Sequence, residues 1–275
     1  MLSRKEFLLG LGGTAVALSA AAKPVRSLVA TTGTKTSGTA GFATAKDYIQ
    51  DGLAVLFDGK ENVGWGLSDT ESSFWVDLVN NVPCVFTGQL GTDYYWGSNC
   101  YCKNSESNGT IVYDISGLLL DSIRRASFSV EVVTSSPLAD AGWQAQILNL
   151  CTSSQLSAYA KGVAARWRIE SNGRVGALNG GIYNSGRGYT LASRAALNTD
   201  TLVFDNGYVW TYSDGIAVLP QSAVTAASDL DSIFYRLGSK SYAFRGAYHC
   251  TRLYNRPLSA LEIARNVATD KTRFA

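Results

Sequence analysis

The chain has 275 residues; 46% are hydrophobic and only 17% are charged, against about 25% charged in an average domain. Lys and Arg total 24 and Asp and Glu 22, a net charge of +2 with the one His neutral, so no basic excess exists to attract nucleic acid or an anionic membrane surface. The 27 Gly, 14 Tyr and 6 Trp favour strands and tight turns over helices, and a body of this size needs neither metal nor disulfides to bury a core.

Taken in chain order, residues 1–22 read as an export signal. Arg4 and Lys5 supply a basic start, Phe7 to Ala22 is an apolar run, and Ala20-Ala21-Ala22 offers the small residues a signal peptidase requires. The run is shorter than the ~18–20 apolar residues of a spanning helix and is diluted by Gly10, Gly12 and Gly13, so no membrane span is expected in the mature chain. Ser3-Arg4-Lys5-Glu6-Phe7-Leu8 resembles a twin-arginine export signal with Lys5 in place of the second Arg, which leaves the route open. A buried N-terminal helix is the alternative reading of this segment. No Cys precedes Cys84, which excludes a lipid-modified Cys at the cut. Residues 23–46, with Thr31-Thr32-Gly33-Thr34 at their centre, have no periodic apolar face and read as a flexible Thr/Gly/Ser linker. A single domain is expected over residues 47–275, exported to the periplasm, the cell surface or the medium.

Within the body, Ser127-Phe128-Ser129-Val130-Glu131-Val132 alternates polar and apolar as a half-buried strand does. Trp167-Arg168-Ile169-Glu170 runs into the turn Ser171-Asn172-Gly173, with Arg174 to Leu178 returning. Thr201 to Phe204 meets Asp205-Asn206-Gly207, Tyr208 to Tyr212 meets Ser213-Asp214-Gly215, and Ile216 to Leu219 returns. Short strands punctuated by Asn-Gly and Asp-Gly predict an antiparallel sandwich. At the end of the chain Ser259 and Glu262 form a capping box, with Leu258 and Ile263 as a hydrophobic staple. A closing helix follows from Ala260 to about Asp270, with Leu261, Ile263, Ala264 and Val267 expected against the sandwich.

The most informative stretch is Phe244 to Ser259. Gly246, the run Arg252-Leu253-Tyr254-Asn255-Arg256, Leu258-Ser259 and Glu262-Ile263 resemble the closing strand, turn and helix of laminin-G-like domains of the concanavalin A-like lectin/glucanase superfamily, in their bacterial, exported form. Asp47 to Leu53, Trp75 to Val79 and Phe128 to Val133 are similar to earlier pieces of that family, in family order. The resemblance implies an all-β fold: an antiparallel jelly-roll sandwich of two sheets with a short C-terminal helix. It also implies ligand sites on the concave face or in the rim loops. Fold by itself does not fix function.

Catalytic constellations are scarce. Laminarinase-like hydrolases on this fold carry Glu-x-Asp-x-x-Glu on one strand, supplying two carboxyls ~5–5.5 Å apart, and no such run occurs here. Asp69-Thr70-Glu71 and Asp229-Leu230-Asp231 lie in turn-like surroundings, and Glu131 stands alone on its strand. His249 is the one His, in the closing strand, where a packed imidazole is the plain reading and a general base the sharper one. Five Cys permit at most two bridges. Cys100 and Cys102 share a face, where neighbours rarely bridge each other, and a Cys84 bridge to one of them stays open beside free thiols in the core. Cys100-Tyr101-Cys102 lacks the spacing of a zinc site. No cofactor is required. The resemblance implies calcium as the one ion to consider, with Asp93 and Asp205-Asn206 as oxygen donors that no spacing singles out.

Aromatic rings are the remaining positive feature. Asp93-Tyr94-Tyr95-Trp96 and Trp65, in Asn62-Val63-Gly64-Trp65-Gly66, combine flat rings with short polar groups, the equipment for stacking on a pyranose. The same alternation also fits rings packed between sheets. The composite reading is an exported, non-catalytic lectin-like domain that recognises carbohydrate or a cell-surface glycoconjugate through Asp93, Tyr94, Tyr95, Trp96 and Trp65. The alternatives are a carbohydrate-active hydrolase or lyase on the same fold and a structural or phage-like adhesion module.

Overall fold

Phe128, Val130 and Val132 point one way along their strand and Ser129, Glu131 and Val133 the other, and all six are buried. Both faces of that strand must therefore be covered, the apolar one by a second sheet and the mixed one by something able to satisfy Glu131. The computed structural model describes residues 43–103, 109–135, 144–151, 165–170, 174–177, 188–190, 197–223, 230–237 and 246–275. In chain order these form β1 (Leu53–Asp58), β2 (Phe74–Asp77), β3 (Val82–Val85), β4 (Tyr94–Trp96), β5 (Tyr101–Lys103) and β6 (Ile111–Asp114). Helix α1 (Ser116–Arg124) follows, then β7 (Phe128–Ser135), β8 (Gln144–Cys151), β9 (Ala165–Glu170), β10 (Arg174–Ala177) and β11 (Gly188–Thr190). The chain ends with β12 (Leu197–Asp205), β13 (Tyr208–Ser213), β14 (Ile216–Ala223), β15 (Phe234–Leu237), β16 (Gly246–Tyr254) and helix α2 (Ala260–Phe274).

Two antiparallel sheets make the sandwich. One runs β14-β13-β12-β7-β16-β5-β4, with β1 also paired to β16; the other runs β11-β10-β9-β8-β15-β6, and β2-β3 forms a small hairpin. Between the sheets Phe57 stacks on Tyr235 at 5.4 Å, Phe128 on Phe204 at 4.3 Å, and the Tyr235 hydroxyl meets that of Thr251 at 2.9 Å. The hairpins expected at Asn206-Gly207 and Asp214-Gly215 are present as two-residue turns with positive φ at all four positions. Strands β9 and β10 pair as expected, while their turn at 171–173 lies outside the described residues, as do the segments 1–22 and 23–42.

The mixed face of the larger sheet is covered by α2. The buried side of this helix is Ile263, Asn266, Val267, Thr269, Asp270, Arg273 and Phe274, which corrects the expected apolar stripe: Leu261 is 81% exposed and Ala264 is exposed. Arg252, fully buried on β16, donates to Glu131 at 2.7 Å and to both oxygens of Asp270 at 2.6 and 2.8 Å. Its guanidinium lies 4.1 Å from the Tyr48 ring centroid. Asn266 donates to Glu131 at 2.7 Å and to the Tyr254 hydroxyl at 3.0 Å, and accepts the Ile49 amide at 2.9 Å. Thr201 and Thr199 donate to Glu131 and Asp270. Burial works against the Arg252 charge, but Asp270 and Glu131 outweigh it and hold the guanidinium firmly protonated. One turn earlier Arg256 pairs with Glu262 at 2.7 Å, which holds that carboxyl down at about 2 and reinforces the observed capping box.

The folded body also begins before residue 47. Ala45 is buried, Thr44 and Asp47 form a capping box around a short 3₁₀ turn, and the Ala43 carbonyl accepts from Arg273 at 3.1 Å. Arg252→Ala is expected to lower the unfolding free energy by about 3–5 kcal/mol, because it leaves Glu131 and Asp270 buried without their cation. Leu261→Ala should change it by no more than about 0.5 kcal/mol. Denaturant unfolding of the two variants checks both.

Candidate functional site

The site grows from the loop between β1 and β2. Asn62, fully buried, closes the loop base by donating to the Asp69 carbonyl at 2.6 Å and accepting the Asp69 amide at 2.7 Å. Inside that closure the Leu67 amide donates to the Gly64 carbonyl at 3.0 Å, a tight turn with Trp65 and Gly66 at its tip. Gly66 has φ of +80°, the left-handed value that the third position of such a turn demands. Glu61 then fixes the tip: its Oε2 accepts the Gly66 amide at 2.9 Å, while Oε1 accepts the Ala45 amide and Arg273 Nη2, each at 3.3 Å. Arg273 is itself held by both oxygens of Asp58 at 2.8 Å.

Trp65 is 38% exposed, and the Lys46 ammonium stands 5.5 Å from its ring centroid. Thr44, Lys46, Glu61, Trp65 and Gly66 line a cleft of about 160 Å³. The arrangement offers a flat apolar ring, an exposed cation and a hydroxyl beside it. Glu61 serves as a positioning residue, because its oxygens already receive two amides and a guanidinium.

Of the rings singled out from sequence, Trp65 is at this cleft and Tyr95 is 44% exposed on β4. Tyr94 and Trp96 are corrected to core residues. They are 1% and 7% exposed; Tyr94 stacks on Phe86, Trp96 meets Tyr101 edge-on, and the Trp96 indole donates to the Ser72 carbonyl. Strand alternation sends the middle residue of Tyr94-Tyr95-Trp96 outward and its neighbours inward. Asp93 accepts the Gln89 amide at 2.8 Å within the turn before β4, and Asn206 donates to Asp205 within its hairpin. Among the described residues no group of three His, Cys, Asp or Glu is placed to hold a metal ion. Lys46, Thr44 and Glu61 were not legible as site residues; the one available signal was a cation and an acid flanking an exposed Gly-Trp-Gly turn.

His249 occupies the bulge in β16 where its partner changes from β5 to β1. Its Nε2 lies 2.7 Å from the Ser135 hydroxyl and its Nδ1 3.2 Å from the Asn99 carbonyl. Donation from Nδ1 to the carbonyl leaves Nε2 as the acceptor for Ser135. The imidazole is thus a buried bridge between β16, β7 and the turn that leads into β5. Glu131, alone on its strand in sequence, is spent on Arg252. All five Cys are free.

No protein-family model matches the chain, and no curated protein matches it. Among solved structures, Trypanosoma rangeli sialidase aligns with a TM-score of 0.57 at 16% identity, over 82% of this chain and 34% of that one. The same sialidase in complex with sialic acid aligns at 0.55 and 14% identity, over 82% and 34%. The receptor-binding domain of botulinum neurotoxin C/D mosaic serotype aligns at 0.52 and 14% identity, over 80% and 52%. The chain spans about a third of the sialidase and about half of the toxin chain. At these identities the likeness is one of fold.

Two buried groups give the fold opposite responses to acid. Burial holds His249 at about 4, below the 6.5 of a free imidazole, so its contribution is complete above pH 6.5 and is lost as pH falls towards 4. Burial, partly offset by Arg273, raises Asp58 from 3.8 to about 6, so the native state gains as pH falls through that window. Each effect is worth about 3 kcal/mol. Urea unfolding between pH 6.5 and about 4 should show His249→Gln gaining stability relative to Asp58→Asn as pH falls. Identical slopes for the two variants would contradict both assignments.

Proposed function

We propose that the chain is an exported, non-catalytic lectin-like module of the laminin-G-like kind, and that the Trp65 cleft receives a sugar. One observation carries this reading: an exposed indole held at the tip of a turn whose base and flank are pinned, with Lys46 and Thr44 beside it. A pyranose presents an apolar face of C–H groups that suits the Trp65 ring, and polar groups at its edge that suit an ammonium and a hydroxyl. Lys46 adds a preference for a carboxylate-bearing sugar, since an ammonium donates more strongly to an anion. The chain aligns with about a third of a sialidase solved with sialic acid, which supports including sugar acids among the first saccharides tried. The cleft is smaller than the roughly 300–1,000 Å³ of drug-sized pockets, so it suits one terminal residue of a cell-surface glycoconjugate. The reading needs no metal, and calcium enters as a variable of its test.

Glycan-array screening of the chain, with and without calcium, followed by calorimetric titration of the strongest saccharide, tests the proposal. Trp65→Ala is expected to weaken binding about thirtyfold or more, as loss of an aromatic hot spot does. Lys46→Ala should cost a few-fold and only for anionic sugars, the scale of an exposed ion pair. Saccharide binding unchanged in a folded Trp65→Ala variant would remove this site from the proposal.

A further inference from the structure

A second cluster of reactive side chains lies at the edge of the larger sheet. Tyr95 on β4 stands opposite Cys102 on β5, and Cys102 stands opposite Ala247 on β16. Tyr94, Trp96 and Tyr101 point into the core, so alternation places Tyr95 and Cys102 on the outer face. Cys100 shares that face, with its Sγ 3.6 Å from that of Cys102. The turn before β5 is shaped around this sulfur: a Cβ at Gly97 would come within 2.7 Å of Cys100 Sγ, and the Gly97 amide donates to the Cys100 carbonyl at 2.8 Å. Cys102 is partly exposed, whereas Cys84, Cys151 and Cys250 are buried.

We propose that Cys102 and Cys100 form a thiol–disulfide exchange site whose substrates are low-molecular-weight aliphatic disulfides. The geometry separates the two thiols into an attacking and a resolving one. Cys100 and then the Tyr95 hydroxyl donate hydrogen bonds to the Cys102 sulfur and bring its thiol down to about 7, while the same bond holds Cys100 well above the ordinary thiol range. Burial pushes Cys84 up to about 12, Cys151 to about 11 and Cys250 well above its usual value, so thiolate character concentrates at Cys102.

The Cys102 thiolate attacks one sulfur of the substrate disulfide. The new S–S bond forms as the old one breaks, and the first half leaves as a thiolate that takes a proton from water. Cys100 then gives its proton to solvent, attacks Cys102 Sγ and releases the second half. Two protein thiols are oxidised to one disulfide, and the substrate disulfide is reduced to two thiols. Closing the bridge brings the sulfurs from 3.6 Å to about 2.05 Å. Cys100 lies one residue before β5, outside the ladder, and is the end that moves. A bridge across one residue strains the backbone, which makes it readily reducible and the exchange reversible.

The test is incubation of the folded chain with oxidised glutathione, followed by mass mapping of peptides. The native chain should yield a Cys100–Cys102 bridge that dithiothreitol reverses. Cys100→Ser should trap one glutathionyl group on Cys102, and Cys102→Ser should react about tenfold more slowly or worse. Tyr95→Phe should shift the pH midpoint of Cys102 alkylation upwards. Absence of the bridge in the native chain, or modification of Cys84, Cys151 or Cys250 as fast as Cys102, would overturn the proposal; because the native chain gives this readout, misfolding of a variant cannot mask it.

Discussion

Two buried guanidinium groups decide how the outer face of the larger sheet is covered. A charge removed from water is tolerated only when it is paired and its donors are used. Arg252 meets that condition by gathering Glu131 from β7 and Asp270 from α2 around one planar fork. Arg273 is paired with Asp58 at the end of β1 and Glu61 just beyond, while its buried Nε finds no hydrogen-bond partner among the described residues. Tyr48 presents its ring to both cations. The helix is therefore fixed by directional bonds as much as by its apolar contacts, and only one placement satisfies them together.

That constraint extends to the cleft. Glu61 is shared between Arg273, the Ala45 amide and the Gly66 amide, so the C-terminal helix, the first described residues and the Trp65 turn meet at one carboxylate. The cleft is lined by residues from two segments that this carboxylate ties to each other directly. The bulge at His249 has a comparable part at the same C-terminal end of the helix, where the change of β16 partner from β5 to β1 is bridged by Ser135 and Asn99, with Phe274 against the imidazole at 5.3 Å. Both the Trp65 turn and Cys100 sit outside the strand ladder, where side chains are free of its register.

Much of the framework was readable because local chemistry dictated it. Asn206-Gly207 and Asp214-Gly215 admit positive φ, which selects two-residue hairpins, and Ser259 with Glu262 can close only one kind of helix start. The polar underside of α2 was hidden, because Asn266, Asp270 and Arg273 look like a solvated face until Arg252 and Asp58 are known to wait beneath it. Helix α1 was missed because its N-cap, Ile115, makes no side-chain bond, and the Ser116 amide is taken instead by Asp114, one residue earlier. In the site, Trp65 was legible as a ring in a Gly-flanked loop. Lys46 and Glu61 were not, since their approach to it depends on Arg273, more than two hundred residues away in sequence. Tyr94 and Trp96 were misplaced because consecutive aromatics on a strand share a sequence neighbourhood and face opposite ways.

The proposed sugar site lies at the Trp65 turn and not on the open face of a sheet. A crystal structure of the chain with its strongest array saccharide tests that most directly. The expected result is a sugar ring stacked on the Trp65 indole, with Lys46 at its polar edge and the Glu61–Gly66 hydrogen bond intact. A saccharide bound elsewhere, with the Trp65 cleft empty, would contradict it.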